Sequence, residues 1–186
     1  MISSLDHLIV AVKDLQEAEL NYKKVFGIEP VWRGQHKELG TANSIFNFNN
    51  TYFELLAAKG KGLGASLVEN AIEENGDGLI GIVFGTKDIN KVSKRLTKMG
   101  YSVAEISEGE GTDNNSKVTR NWKNLFLPPE LTRGIFSFII EHTHGHLPTI
   151  EEFPKDTINK LDHVVINTND ADGFINIYKD VFDIRL

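Results

Sequence analysis

The feature that most constrains this chain is that its opening is written again near its end. Leu5-Asp6-His7-Leu8-Ile9-Val10 reappears as Leu161-Asp162-His163-Val164-Val165-Ile166. The match continues ungapped at one offset, with Asp14 on Asp170, Tyr22-Lys23 on Tyr178-Lys179, Val25-Phe26 on Val181-Phe182 and Ile28 on Ile184. A gapless repeat with matched apolar spacing marks a duplicated supersecondary unit. A weaker copy lies between them, where Leu79 to Phe84 is apolar and Lys87-Asp88-Ile89 repeats Lys13-Asp14-Leu15. The last copy stops at Leu186, so the expectation is an incomplete third unit, from truncation or partial duplication. It would cap its own modules or lend a strand to a partner, because an unpaired strand edge invites association and a homodimer.

Each unit predicts the same succession. In the first, alternation over residues 4–12 predicts a strand. Asp14 is a helix N-cap, Ala18, Tyr22, Val25 and Phe26 recur at helical spacing, and Gly27 ends the helix. Short strands are expected over 29–33, 44–48 and 51–57, with Asn49-Asn50 as a tight turn. In the second unit a strand over 79–84 and a helix ended by Gly100 precede expected strands at 101–106, 121–127 and 134–142. Residues 107–117 read as a polar, Gly-rich loop. The division is thus 1–58 first module, 59–78 connector with a helix over 65–74, 79–146 second module, 147–158 linker, and 159–186 partial third module. The fold class is α+β: two paired β-α-β-β-β modules forming a curved mixed sheet cleft, plus the partial third.

Composition narrows the function. Twenty basic against 26 acidic residues, net −6, give no electrostatic footprint for nucleic acid or an anionic membrane. With no cysteine, any metal must be held by His, Asp or Glu. There is no basic and apolar leader and no run of apolar residues long enough for a bilayer, so a cytoplasmic protein is the expectation.

Paired modules with an L-D-H opening resemble the vicinal oxygen chelate superfamily: glyoxalase I, extradiol dioxygenases, methylmalonyl epimerase and the bleomycin-resistance proteins. Within it the chain looks most like the glyoxalase-like domain proteins. Leu5-Asp6-His7, His36 with Gly40-Thr41-Ala42-Asn43, Tyr52-Phe53-Glu54-Leu55 and Phe138-Ile139-Ile140-Glu141 carry the likeness. The resemblance implies metal ligands on the first and last strands of the modules: His7, Glu54 and Glu141 here. Gly81 stands where the second module's first-strand ligand is expected.

The residues themselves support part of that set. Glu54 and Glu141 each sit beside runs of apolar residues, where an ionised carboxylate is costly unless paired or metal-bound. One imidazole and two carboxylates suit a divalent Mn, Fe, Co, Ni or Zn ion, acting as Lewis acid on a substrate oxygen. Whichever of Glu54 and Glu141 is not a ligand is the candidate general base. The alternative for all three is structural, as a satisfied core histidine and two strand-end glutamates.

His36 and Asn43 flank a loop suited to a polar ligand, and Arg120 with Trp122 offers an anion clamp and an aromatic wall for a small-molecule substrate. His142, His144 and His146 would share a face if the strand ran through them, but Gly145 and Pro148 break it. Lys59-Gly60-Lys61-Gly62-Leu63-Gly64 lacks the Gly-Lys-Ser/Thr of a phosphate loop and reads as a linker. The functional expectation is a glyoxalase-like, metal-dependent isomerase, lyase or dioxygenase. Its rival is a non-catalytic protein that sequesters small molecules in a cleft lined by Trp32, Phe46 and Trp122.

Overall fold

The computed structural model describes residues 2–184. Its elements are β1 (Ser4–Ala11), α1 (Leu15–Phe26), β2 (Trp32–His36), β3 (Thr41–Asn47), β4 (Tyr52–Ala58), α2 (Leu63–Asn75), β5 (Gly78–Gly85) and α3 (Ile89–Lys98). Then follow β6 (Ser107–Thr112), β7 (Thr119–Phe126), α4 (Pro129–Thr132), β8 (Phe136–His144) and α5 (Ala171–Ile175), which runs on into a π-helical stretch, Asn176–Val181. Met1, Arg185 and Leu186 lie outside the described residues, and the outer ends of the first and last expected units fall on them.

The eight strands form one curved, nearly closed sheet in the order β2-β3-β4-β1-β5-β8-β7-β6. At its centre β1 runs parallel to β4 and antiparallel to β5, and β5 runs parallel to β8. The expected α+β class with its curved mixed sheet is what forms. The repeated aspartates do repeated work. Asp14 accepts from the N–H groups of Gln16 and Glu17, Asp88 from that of Lys91, and Asp170 from that of Gly173. Each satisfies orphan donors of a first helical turn. Gly27, at φ 73°, ends α1 in the left-handed region, where its N–H reaches the Lys23 carbonyl.

Period-2 alternation sorts the sheet's two faces. Leu8, Val10, Phe46, Phe53 and Leu55 turn outward to the helices, and Phe46 packs edge-on against Phe26. His7, Ile9, Asn43, Ile45, Glu54 and Leu56 turn inward to a cavity. The two outer strands nearly meet. The Arg33 N–H on β2 donates to Asp113 Oδ1 (2.8 Å), and the Asn114 N–H donates to the Arg33 carbonyl (2.7 Å). Helix α2, inside the expected connector, plugs one end of the cleft by packing Val68 against Ile9, Val83 and Phe138. The glycines before it serve this docking. Gly40 at φ 68° lies so close to the Lys61 carbonyl that a Cβ would sit 2.7 Å from it, and the Ala65 N–H is taken by the Leu39 carbonyl.

Two expected elements fall elsewhere. Residues 101–106 are not a strand; β6 lies instead in the stretch read as a loop. Its glycines make room rather than a turn, since a Cβ on Gly109 would lie 2.3 Å from Trp122 Nε1. Residues 161–166, the copy of β1, join no ladder, although the copied helix forms and buries Tyr178, Val181 and Phe182 against Phe84 and Leu96. No helix among the described residues is long and apolar enough to cross a membrane.

Candidate functional site

A cavity of about 340 Å³ lies inside the curved sheet. Its polar end is centred on β1, β3 and β4. His7 on β1 is 2% exposed, and its ring stacks on Tyr52 at 4.3 Å. His7 Nδ1 lies 2.8 Å from Asp6 Oδ1, and Nε2 faces Glu54 Oε2 at 3.4 Å. Glu54 Oε1 accepts from the Asn43 amide at 2.6 Å. These groups meet because β4 lies between β1 and β3, with Ile9 opposite Glu54 and Glu54 opposite Ile45.

Asp6 organises both sides of this end. Its second oxygen faces His142 Nε2 at 3.1 Å, and His142 Nδ1 lies 3.3 Å from a terminal nitrogen of Arg120. Burial alone would raise the Asp6 carboxyl, but hydrogen bonds from His142 and His7 hold it well below the usual carboxylate range. An ionised Asp6 makes both facing imidazole nitrogens donors. The other His142 nitrogen then accepts from Arg120. Burial lowers His36, and His7 and Arg120 add to that against the pull of Glu54, so His36 is a neutral imidazole. Its Nδ1 lies 3.0 Å from Thr41 Oγ1. Tyr52 is raised well above its ordinary value by burial and by Asp6 and Glu54, so its hydroxyl stays protonated.

Facing this polar end, Phe126 on β7 and Phe136, Phe138 and Ile140 on β8 form an apolar stretch of wall, with Arg120 and Asn124 of β7 beside it. Here one expectation is corrected. Glu141 is not in the cavity. It lies on the helix side of β8, where its Oε2 accepts from the Ile89 N–H at 2.7 Å at the start of α3. The strand's parity decides this, because Phe136, Phe138 and Ile140 point inward and Ser137, Ile139 and Glu141 outward. The ladders show which residue corresponds to Glu54. Glu54 lies opposite Ile9, and Val83, the second-module counterpart of Ile9, lies opposite Phe138. The space at Gly81 is filled by Phe136, since a Cβ there would lie 2.9 Å from that ring.

The expected divalent metal therefore does not fit these residues. Its second-module donors are replaced by a glycine and a phenylalanine, and His7 and Glu54 remain with a buried cation, Arg120, in the same cavity. Among the described residues no three His, Asp or Glu side chains converge to hold an ion, the histidines of β8 included. His36, Asn43, Arg120 and Trp122 all line the cavity, as does Trp32. Phe46 does not; it belongs to the core under α1. Sequence reasoning assigned no role to Asp6, Tyr52, Phe136 or Phe138. The alternation of Phe136, Phe138, Ile140 and His142 on one face was the available signal for the last two.

A glyoxalase-like domain model matches residues 5–182, and the chain belongs to that family, within the vicinal oxygen chelate fold. Among solved structures it is similar to a variant of Streptomyces coelicolor methylmalonyl-CoA epimerase in complex with 2-nitronate-propionyl-CoA. That likeness has 19% identity and a TM-score of 0.59 over 80% of this chain and 100% of that one. Methylmalonyl-CoA epimerase from Mycobacterium tuberculosis is similar at 17% identity and TM-score 0.61, covering 77% of this chain and 90% of its own. A hypothetical protein from Staphylococcus aureus gives 18% and 0.61, covering 75% of this chain and 59% of its own. No curated protein matches the chain.

Proposed function

We propose that the cavity binds a small carbonyl compound and that Glu54 moves a proton on it, an isomerase-type reaction. One observation carries this reading. Glu54 is a carboxylate only 7% exposed that faces the cavity, held by the Asn43 amide on one oxygen, with His7 Nε2 3.4 Å from the other and Asp6 behind His7. A buried carboxylate held this way is a pre-positioned general base. It takes a proton from the carbon next to a carbonyl; the electron pair moves to the carbonyl oxygen and gives an enolate. Return of that proton to the other face, or to a different carbon, completes the isomerisation. The neutral His36 imidazole is the donor available to the enolate oxygen, and enclosure by the aromatic wall keeps that interaction out of bulk water. The similarity in fold to epimerases is consistent with this chemistry but does not name a substrate.

The test is solvent deuterium incorporation, followed by proton NMR, into pyruvate, acetylacetone and phenylpyruvate. Wild type is expected to accelerate exchange of at least one, and Glu54→Gln to lose that acceleration. Exchange at the uncatalysed rate for all three overturns the reading. A second reading, sequestration without turnover, is favoured by the apolar wall of Phe126, Phe136 and Phe138. Tight binding with no exchange would select it.

A further inference from the structure

Among the described residues Arg120 is the only Lys or Arg side chain on the cavity wall, and it is 5% exposed. Among the described ion pairs no carboxylate lies within reach of it. Its guanidinium is packed among three rings, 5.4 Å from Trp32, 5.8 Å from Tyr52 and 5.9 Å from Trp122. One terminal nitrogen is used on His142, while Nε is buried with no partner. Ring faces attract the cation but accept no hydrogen bond in the plane of the guanidinium. A buried guanidinium with no direct ion pair and with an unmet N–H is costly unless something enters to satisfy it.

The chemistry of that occupant is narrowly set. It must carry an acceptor oxygen with negative charge, because Nε offers a donor beside a full positive charge. A single negative charge is the most the site takes, since Glu54 already places one carboxylate in the cavity with the one guanidinium, and a dianion would add a second charge to desolvate. The rest of the molecule must be apolar, to lie against Phe126, Phe136 and Phe138. We propose that the ligand of this cavity is an organic monocarboxylate with an apolar body, its carboxylate received by Arg120 Nε and its body laid against the three phenylalanines. This rests on the cavity being the ligand site, as in the function proposed above, but not on Glu54 being a base.

The test uses the full chain and calorimetric titration with phenylacetate, its neutral counterpart phenylacetamide, and phenyl phosphate. Phenylacetate is expected to bind about tenfold or more tighter than phenylacetamide, the size of one charge-assisted hydrogen bond. Arg120→Met keeps the apolar volume and is expected to abolish that preference while leaving amide binding in place. Phenyl phosphate is expected to bind no tighter than phenylacetate. Equal binding of acid and amide to wild type overturns the inference, as does a preference that survives Arg120→Met or a tighter phosphate. So does failure of phenylacetate, benzoate and naphthoate all to bind. The acid–amide comparison on wild type stands even if Arg120→Met does not fold. Glu54→Gln is expected to keep the acid preference. Acid preference without deuterium exchange would sink the base and leave this inference intact; exchange without acid preference would do the reverse.

Discussion

The two walls of the cavity are built from the same succession of strands around a helix, yet only one carries a buried carboxylate, while the other is apolar apart from Arg120 and Asn124. On the first-module side β1 and β4 contribute His7 and Glu54, tied to Asp6 and Asn43. On the second-module side the matching positions on β5 and β8 hold Gly81 and Phe138, with the Phe136 ring filling the space above Gly81. The sheet geometry is the same in both halves: a parallel pair of strands, joined to the other half through the antiparallel β1–β5 ladder. What differs is which side chains the inward parity receives. The comparison teaches that this fold can keep a proton-handling group in one half and use the other half for shape, exclusion of water and the single guanidinium of Arg120.

The comparison breaks most readily at Glu54. Glu54→Gln keeps the volume and the amide contact to Asn43 but removes the base. Exchange is expected to fall about a hundredfold to ten-thousandfold, the usual range for a positioned general base. Thermal unfolding of the same variant checks that the fold persists. Exchange unchanged within experimental error would mean that the polar wall does not carry the chemistry.

Gly81→His rebuilds the first-module pattern in the second. The new side chain must displace Phe136, because even its Cβ would meet that ring at 2.9 Å. Overpacking of this kind costs about 1–3 kcal/mol, read from urea unfolding. Adding Phe136→Ala is expected to recover part of that cost, since the two sites are in contact and do not add independently. Equal stability of Gly81→His and wild type would show that the wall is loosely packed and that the asymmetry between the halves is not enforced.

Much of this was legible beforehand, for physical reasons that can be located. Asp14, Asp88 and Asp170 mark helix starts because a short side chain accepting two or three residues ahead works in any tertiary setting. His7 and Glu54 fall on the inward face because each lies within a strand whose alternation is readable locally. The strand copy at 161–166 misled, because a strand is stable only when neighbours complete its ladder. The first copy lies between β4 and β5. In the last copy the Leu161 N–H and carbonyl bond to the Asn50 side chain instead, and Val165 is 70% exposed. The helix of that copy survived because its apolar stripe needed only a surface, and α3 with β5 supplied one.

Glu141 is where sequence reasoning failed by a single position, and it gives the smallest test. Both glutamates border apolar runs, so matching them by the end of the run makes them look equivalent. A strand's faces alternate every residue, so a one-residue error moves a side chain to the opposite side of the sheet. On its true face Glu141 accepts the Ile89 N–H at the start of α3 and adds negative charge where the helix dipole is positive, beside the Asp88 cap. Glu141→Gln keeps an acceptor and loses the charge, so a loss of about 0.3–1 kcal/mol in stability is expected. Glu141→Ala also leaves the Ile89 N–H without that partner, and about 1–2 kcal/mol is expected. Both should leave phenylacetate affinity and deuterium exchange at the wild-type level. A drop in either readout without a matching drop in stability would place Glu141 in the chemistry after all and restore symmetry between the two walls.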